Sequence, residues 1–138
     1  MLYIMHDISN EEAIAFLKKN QAKKEQVAYD KADRWLGCYV QEHWYSITFK
    51  RLIGVVGISN TKNVARIKGL YVMKEYRRRH FAYKLFSLLI KQPEFWQKSR
   101  TTLYATKRSR GLFEQFGYKV KSTNKYDISF MERKIYHE

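Results

Sequence analysis

One cysteine, one proline and six glycines in 138 residues leave little of what disulfide scaffolds, proline-rich linkers or low-complexity tracts are made of. Cys38 has no second cysteine to pair with, so stability must come from packing, and a chain of this length buries enough surface for that. Apolar runs stop after a few residues, as at Leu88-Leu89-Ile90, far short of the roughly 20 a membrane helix requires. The N-terminus shows no basic-then-apolar leader with a small-residue cleavage site, and the expectation is a soluble protein of the cytoplasm that needs no membrane. Acidic residues are scarce: 13 Asp and Glu face 27 Lys and Arg, a net charge of +14. Fourteen of those bases fall in residues 62–110, which hold only Glu75 and Glu94 as acids. A surplus gathered in one stretch sets up a local potential that attracts phosphates, nucleic acid or acidic lipid and repels free polyamines.

Apolar residues make up 45% of the chain and aromatics 16%, enough to close one core, and no repeat or linker divides it, so residues 1–138 read as a single domain. After a short apolar start at Met1–Met5, Ser9 and Glu12 have capping-box spacing ahead of Ala13, Phe16 and Leu17, predicting a helix over 10–20. Residues 21–33 are polar and give at most a weak second helix. From Trp35 the texture turns β-branched and aromatic, predicting antiparallel strands over 36–41, 45–49, 52–59 and 64–73, with Gly54 and Gly57 marking a bulge or a close approach. Helical spacing returns at Phe81, Ala82, Leu85, Leu88 and Leu89 and stops at Gln92-Pro93. A strand over 101–106, a short helix over 109–116 ended by Gly117, and strands over 118–122 and 126–135 complete the chain. The fold class is mixed α/β (α+β): a mostly antiparallel sheet of about six or seven strands, one strand–helix–strand crossover, and flanking helices.

Between strand and helix lies Lys74-Glu75-Tyr76-Arg77-Arg78-Arg79-His80. The first turn of a helix carries N–H groups without intrahelical partners and a positive dipole end, so a basic turn there is a candidate diphosphate cradle. The run from Arg66 to Phe86 resembles the acetyl-CoA-binding motif of the GNAT (Gcn5-related N-acetyltransferase) superfamily, which ends as Gln/Arg-x-x-Gly-x-Gly/Ala. Arg77 matches the first position and Ala82 the last, while His80 replaces the central glycine; histidine tolerates positive φ better than most residues. Downstream, Leu112-Phe113-Glu114-Gln115-Phe116-Gly117-Tyr118 resembles the family's Leu-Tyr-Glu-Lys-Leu-Gly-Phe segment.

The resemblance implies acetyl-CoA as acyl donor, with its pantetheine arm on the main chain near Leu70 and Val72. It places the diphosphate on the amides of residues 78–82, hence Arg77, Arg78, Arg79, His80, Phe81 and Ala82 as cofactor contacts, with Phe113 beside the thioester. No metal is implied. The family's tyrosine acid falls at Phe113, which has no proton to give, so Tyr118 and Tyr104 become the candidate acids. Glu42 is the candidate base, with His43 and Glu75 as further polar candidates, and Cys38 reads as core filling rather than nucleophile. Two functions remain open: an N-acetyltransferase whose acceptor is anionic or associated with nucleic acid such as tRNA, and a nucleic-acid-binding or nucleic-acid-modifying protein on the same scaffold. In the second, Arg77–Arg79, Lys107, Arg108 and Arg110 would contact phosphates.

Overall fold

The computed structural model describes residues 2–135, so Met1 of the apolar start lies outside the described residues. Seven strands form one sheet in the order β1-β2-β3-β4-β5-β7-β6. They are β1 (Tyr3–Ile8), β2 (Arg34–Trp44), β3 (Ile47–Asn60), β4 (Ala65–Val72), β5 (Arg100–Ala105), β6 (Lys119–Thr123) and β7 (Ser129–Lys134). The helices are α1 (Asn10–Lys19), α2 (Phe81–Leu89), α3 (Pro93–Trp96) and α4 (Arg110–Gln115). Every pairing is antiparallel except β4 with β5, the two strands joined through α2.

Each helix packs an apolar face on one side of this sheet. Toward α2 lie Leu36, Cys38, Val40, Ile53, Val56 and Ile58, closed by Leu85, Phe86 and Leu89. Toward α1 lie Trp35, Val55 and Tyr71, covered by Ala13, Phe16 and Leu17. The entry of α1 follows its sequence signal, with Ser9 Oγ accepting the Glu12 N–H at 3.1 Å. One residue later Asn10 Oδ1 accepts from the Ala32 N–H (2.8 Å) and from Trp35 Nε1 (2.7 Å), which ties the helix to the start of β2.

Three departures from the sequence reading have local causes. The segments 36–41, 45–49 and 52–59 form two strands, not three, because the chain reverses at Tyr45 (φ +55°) and β3 runs unbroken from Ile47. Lys50 and Arg51 do not interrupt it, since that part of the ribbon is open to water. The apolar start becomes an edge strand, β1, on β2. The polar 21–33 stretch holds only a 3₁₀ turn, Ala22–Glu25, flanked by Gln21 (φ +55°) and Gln26 (φ +66°) in left-handed conformation.

The site depends on an irregularity in β4. Between the pairs Val55–Tyr71 and Gly57–Lys68, two residues of β4, Gly69 and Leu70, stand opposite Val56 alone. Gly69 has φ +66°, the conformation of a glycine bulge. A Cβ there would lie 2.6 Å from the Trp35 ring, so glycine is required by both backbone and space. Substituting Gly69→Ala is therefore expected to cost roughly 2–4 kcal/mol of unfolding free energy, from left-handed strain plus overpacking, measured by urea denaturation.

Candidate active site

β4 and β5 pair only through Ala65–Thr101 and Arg66–Thr102, after which the strands diverge. From Ile67 onward, β4 has no β5 partner, and its main-chain edge faces a gap. Two cavities open on this gap and share Leu70 and Ser109. The first, about 450 Å³, lies under residues 26–30 and is lined by Arg66, Lys68, Thr102, Tyr104, Phe113 and Asn124 among others. The second, about 850 Å³, is bounded by Leu70–Val72 and by the turn that enters α2, with Arg108 on its far side.

That turn has the conformation a glycine would supply. His80 sits at φ +65°, ψ 16° as the residue before α2, and Arg78 is also left-handed at φ +64°. The first bond into the helix runs from the Lys84 N–H to the His80 carbonyl (3.0 Å), leaving the amides of Phe81, Ala82 and Tyr83 without intrahelical acceptors. Arg78 and His80 are exposed and line the second cavity, whereas Arg79, also exposed, lies over the Tyr76 ring (5.7 Å) and does not line it. Leu70, Val72, Arg77, Arg78, His80, Phe81 and Ala82 are thus brought together along the second cavity.

Arg77 is the member of this set that is already engaged. Its Nε donates to the Val72 carbonyl (2.8 Å), and its Nη1 lies 2.8 Å from Glu25 of the 3₁₀ turn. The same carboxylate accepts from Arg108 Nη1 (3.1 Å) and from the Tyr71 hydroxyl (2.5 Å). The hydrogen bonds from Arg77, Tyr71 and Arg108 hold the Glu25 carboxyl well below the usual carboxylate range, at about 2. Glu25 was invisible in the sequence, where it is one acid in a polar stretch whose partners lie 46 to 83 positions away.

The candidate acids and base separate. Tyr104 is 68% exposed on β5 and borders the first cavity, its ring 5.3 Å from Phe130. Tyr118 is 2% exposed on the α2 side, among Phe86 and Phe113, with its hydroxyl 2.6 Å from Thr101 Oγ1. Burial drives its pKa far up, and it lines neither cavity, so its hydroxyl is a packing partner for Thr101. Glu42 accepts from the Tyr76 hydroxyl and faces Arg51 at 3.6 Å, and it too lines neither cavity, as do His43 and Glu75. Phe113 is buried against Phe86 and lines the first cavity. Cys38 is fully buried, and burial pushes its thiol up to about 11, out of nucleophilic range. Among the described residues no group of three or more His, Cys, Asp or Glu could hold a metal ion, and no helix is long and apolar enough to cross a membrane.

A mixed sheet whose one parallel pair splays open over a helix N-terminus is the architecture of an acyl-CoA N-acyltransferase domain. The sequence matches the acetyltransferase (GNAT) domain family over residues 4–130, and the chain belongs to that family. No curated protein matches it significantly. Solved structures share the fold. The PaiA N-acetyltransferase of Thermoplasma acidophilum, in complex with coenzyme A, superposes with a TM-score of 0.71 at 16% identity, covering 97% of this chain and 99% of that one. A GNAT-family acetyltransferase of Staphylococcus aureus gives 0.70 at 15% identity, over 98% and 100%. The ribosomal-protein-S18-alanine N-acetyltransferase of Escherichia coli gives 0.70 at 12%, over 99% and 96%.

Two measurements follow from this geometry. Because the Glu25 carboxyl is depressed in the folded chain, its contribution to stability is complete above the unfolded value near 4.5 and is lost as pH falls toward about 2. The acid limb of a stability–pH curve should therefore shrink in Glu25→Gln by on the order of 1–2 kcal/mol, after allowance for solvent screening. Tyr118→Phe should lower unfolding free energy by about 1–3 kcal/mol, by leaving Thr101 unpaired, while turnover stays at the wild-type rate.

Proposed function

We propose that the protein is an acetyl-CoA-dependent N-acetyltransferase whose acceptor amine carries negative charge or belongs to a nucleic-acid-associated molecule. One observation carries the reading: the parallel β4–β5 pairing ends after two residues, directly beside a helix entry flanked by arginines. The residues present suit an elongated anionic thioester. A main-chain edge without a strand partner can pair with an amide-bearing arm along Leu70–Val72, and the amides of residues 78–82 with Arg78 and Arg79 can take its diphosphate. His80 in place of glycine is compatible with this, because its left-handed φ keeps the turn in shape.

Bound acetyl-CoA would supply a thioester whose acyl carbon bonds to the acceptor nitrogen as the carbon–sulfur bond breaks, the nitrogen losing one proton to solvent and the sulfur gaining one. The protein's part is chiefly alignment of the amine in the first cavity. Tyr104, which with Tyr29 of the roof is one of two tyrosines lining that cavity and is the more exposed of them, is assigned as the group that gives a proton to the departing thiolate. Phe113 gives that region an apolar wall and no proton. Two bases, Arg66 and Lys68, and one acid, Asp30, line the acceptor cavity, and Asp30 is bound to Lys68 at 2.5 Å. Arg66 has no acidic partner within ion-pair distance among the described residues, a balance that favours an acceptor bearing carboxylate or phosphate over a polyamine.

Acetyl-CoA should raise the melting temperature, by an amount that shrinks with added salt. Arg79→Ala and Arg78→Ala should each weaken CoA binding several-fold without loss of fold, read by calorimetry. Tyr104→Phe should lower kcat more than it raises KM for acetyl-CoA. Stabilisation by an oligonucleotide with none by acetyl-CoA would replace this reading with that of a nucleic-acid-binding protein on the same scaffold.

A further inference from the structure

Glu25 stands where the two cavities meet. Its 3₁₀ turn leads into residues 26–30, the roof of the acceptor cavity, while its two arginine partners, Arg77 and Arg108, line the other cavity. Three distances define the contact: Arg77 Nη1 at 2.8 Å and Arg108 Nη1 at 3.1 Å from Oε1, and Arg77 Nη2 at 3.2 Å from Oε2. A guanidinium fork holding a carboxylate in this manner makes the same kind of charge-assisted pair that it makes with a phosphate. One carboxylate neutralises one of two positive charges, so the cluster keeps an excess of cation and an appetite for a more highly charged anion.

The roof is fixed at its far end, where Lys68 Nζ binds Asp30 Oδ1 (2.5 Å) and the Lys31 carbonyl (3.2 Å) and where Val27 and Tyr29 pack on the α1-side core, so the Glu25 turn is its near end. Gln21 and Gln26, on either side of the 3₁₀ turn, are both non-glycine residues in left-handed conformation, which stores strain. Beyond the Glu25 contacts, the turn and its flank are tied down by Tyr71 Oη on the Asn20 carbonyl (3.3 Å) and Gln26 Nε2 on the Tyr126 carbonyl (3.4 Å), both long. Ala22 is the one residue of the turn that is buried in the core beneath α1.

We infer that Glu25 is a positioning residue that competes with the donor's diphosphate for Arg77 and Arg108, so that arrival of the donor loosens the near end of the roof over the acceptor cavity. This rests on the second cavity being the CoA site, as proposed above. The competition is an exchange of one anion for another on the same two guanidiniums. No group is transferred, and the near end of the roof is the part of the molecule that changes state. The order of events at the site then has a structural cause: the acceptor cavity opens at that end after the donor is seated.

Titration calorimetry with CoA, and with pantetheine as the analogue lacking the diphosphate, tests this on the whole chain. Glu25→Gln should tighten CoA binding on the order of tenfold and leave pantetheine unchanged, because it frees both guanidiniums without altering the β4 edge. In Glu25→Gln/Arg108→Ala the part of that gain carried by Arg108 should vanish while the part carried by Arg77 remains, whereas Arg108→Ala alone should change little, since it removes a contact from both the free and the bound state. Hydrogen exchange on the unaltered protein gives a readout that needs no variant: CoA should speed exchange at residues 22–29. Equal or weaker CoA binding by a folded Glu25→Gln variant, or protection of residues 22–29 by CoA, would overturn the competition. Absence of CoA binding by the unaltered protein would instead overturn the donor assignment, and is seen before any variant is compared.

Discussion

A single indole sets the geometry on which the rest of this protein depends. Trp35 lies under both Gly57 of β3 and Gly69 of β4, at distances that leave no room for a Cβ on either. Its Nε1 is anchored by Asn10 at the start of α1, so the ring cannot withdraw. With the ring there, β4 passes over it as a glycine bulge, and the bulge changes which residues face which side. Before it, Ala65 and Ile67 face α2; after it, Tyr71 faces α1 and Val72 faces α2. Bulged strands bend, and β4 leaves β5 immediately before this point, so the gap between the two strands follows from core packing some distance beneath it.

Charge is organised on a smaller scale than the net value of +14 suggests. Of the bases in residues 62–110, Lys68, Arg77, Arg100, Arg108 and Arg110 are each held by an acid of this same chain. The others do not form one field. Lys62 precedes β4 while Lys74, Arg78 and Arg79 follow it, and a strand of eight residues puts roughly 25 Å between those ends. That is several Debye lengths at physiological salt, so the helix entry acts through its own few cations and amides. Surface pairs such as Lys68–Asp30 contribute little to stability, and their effect is to decide which cations remain available.

The architecture was legible in the sequence because it is written in period and punctuation: alternation through β2–β4, helical spacing from Phe81 to Leu89, and Gly117 after α4. The basic turn was legible for the same reason, since it interrupts an apolar pattern between strand and helix. What could not be read was anything set by the far side of the sheet. Gly54 and Gly57 drew attention as positions of a bulge or a close approach, and Trp35 does approach Gly57 closely, but the left-handed glycine of the β4 bulge is Gly69, whose need for glycine is imposed by a ring 34 positions earlier. Tyr118 and Tyr104 look alike as strand tyrosines, but pairing in β5 turns Tyr104 outward while Tyr118 falls beside Phe86 in the core. Arg77 looked like a phosphate ligand equal to its neighbours, and only the fold shows that Glu25 reaches it first.

Cys38, in the middle of β2 with β1 and β3 on either side, has a consequence for handling the molecule. As the sole thiol, wholly enclosed and kept protonated, it is closed to alkylating reagents and to disulfide exchange while the sheet is intact. Its modification by iodoacetamide therefore reports how often α2 and the strands around Cys38 open, making this one sulfur atom a built-in gauge for opening of the barrier between solvent and core.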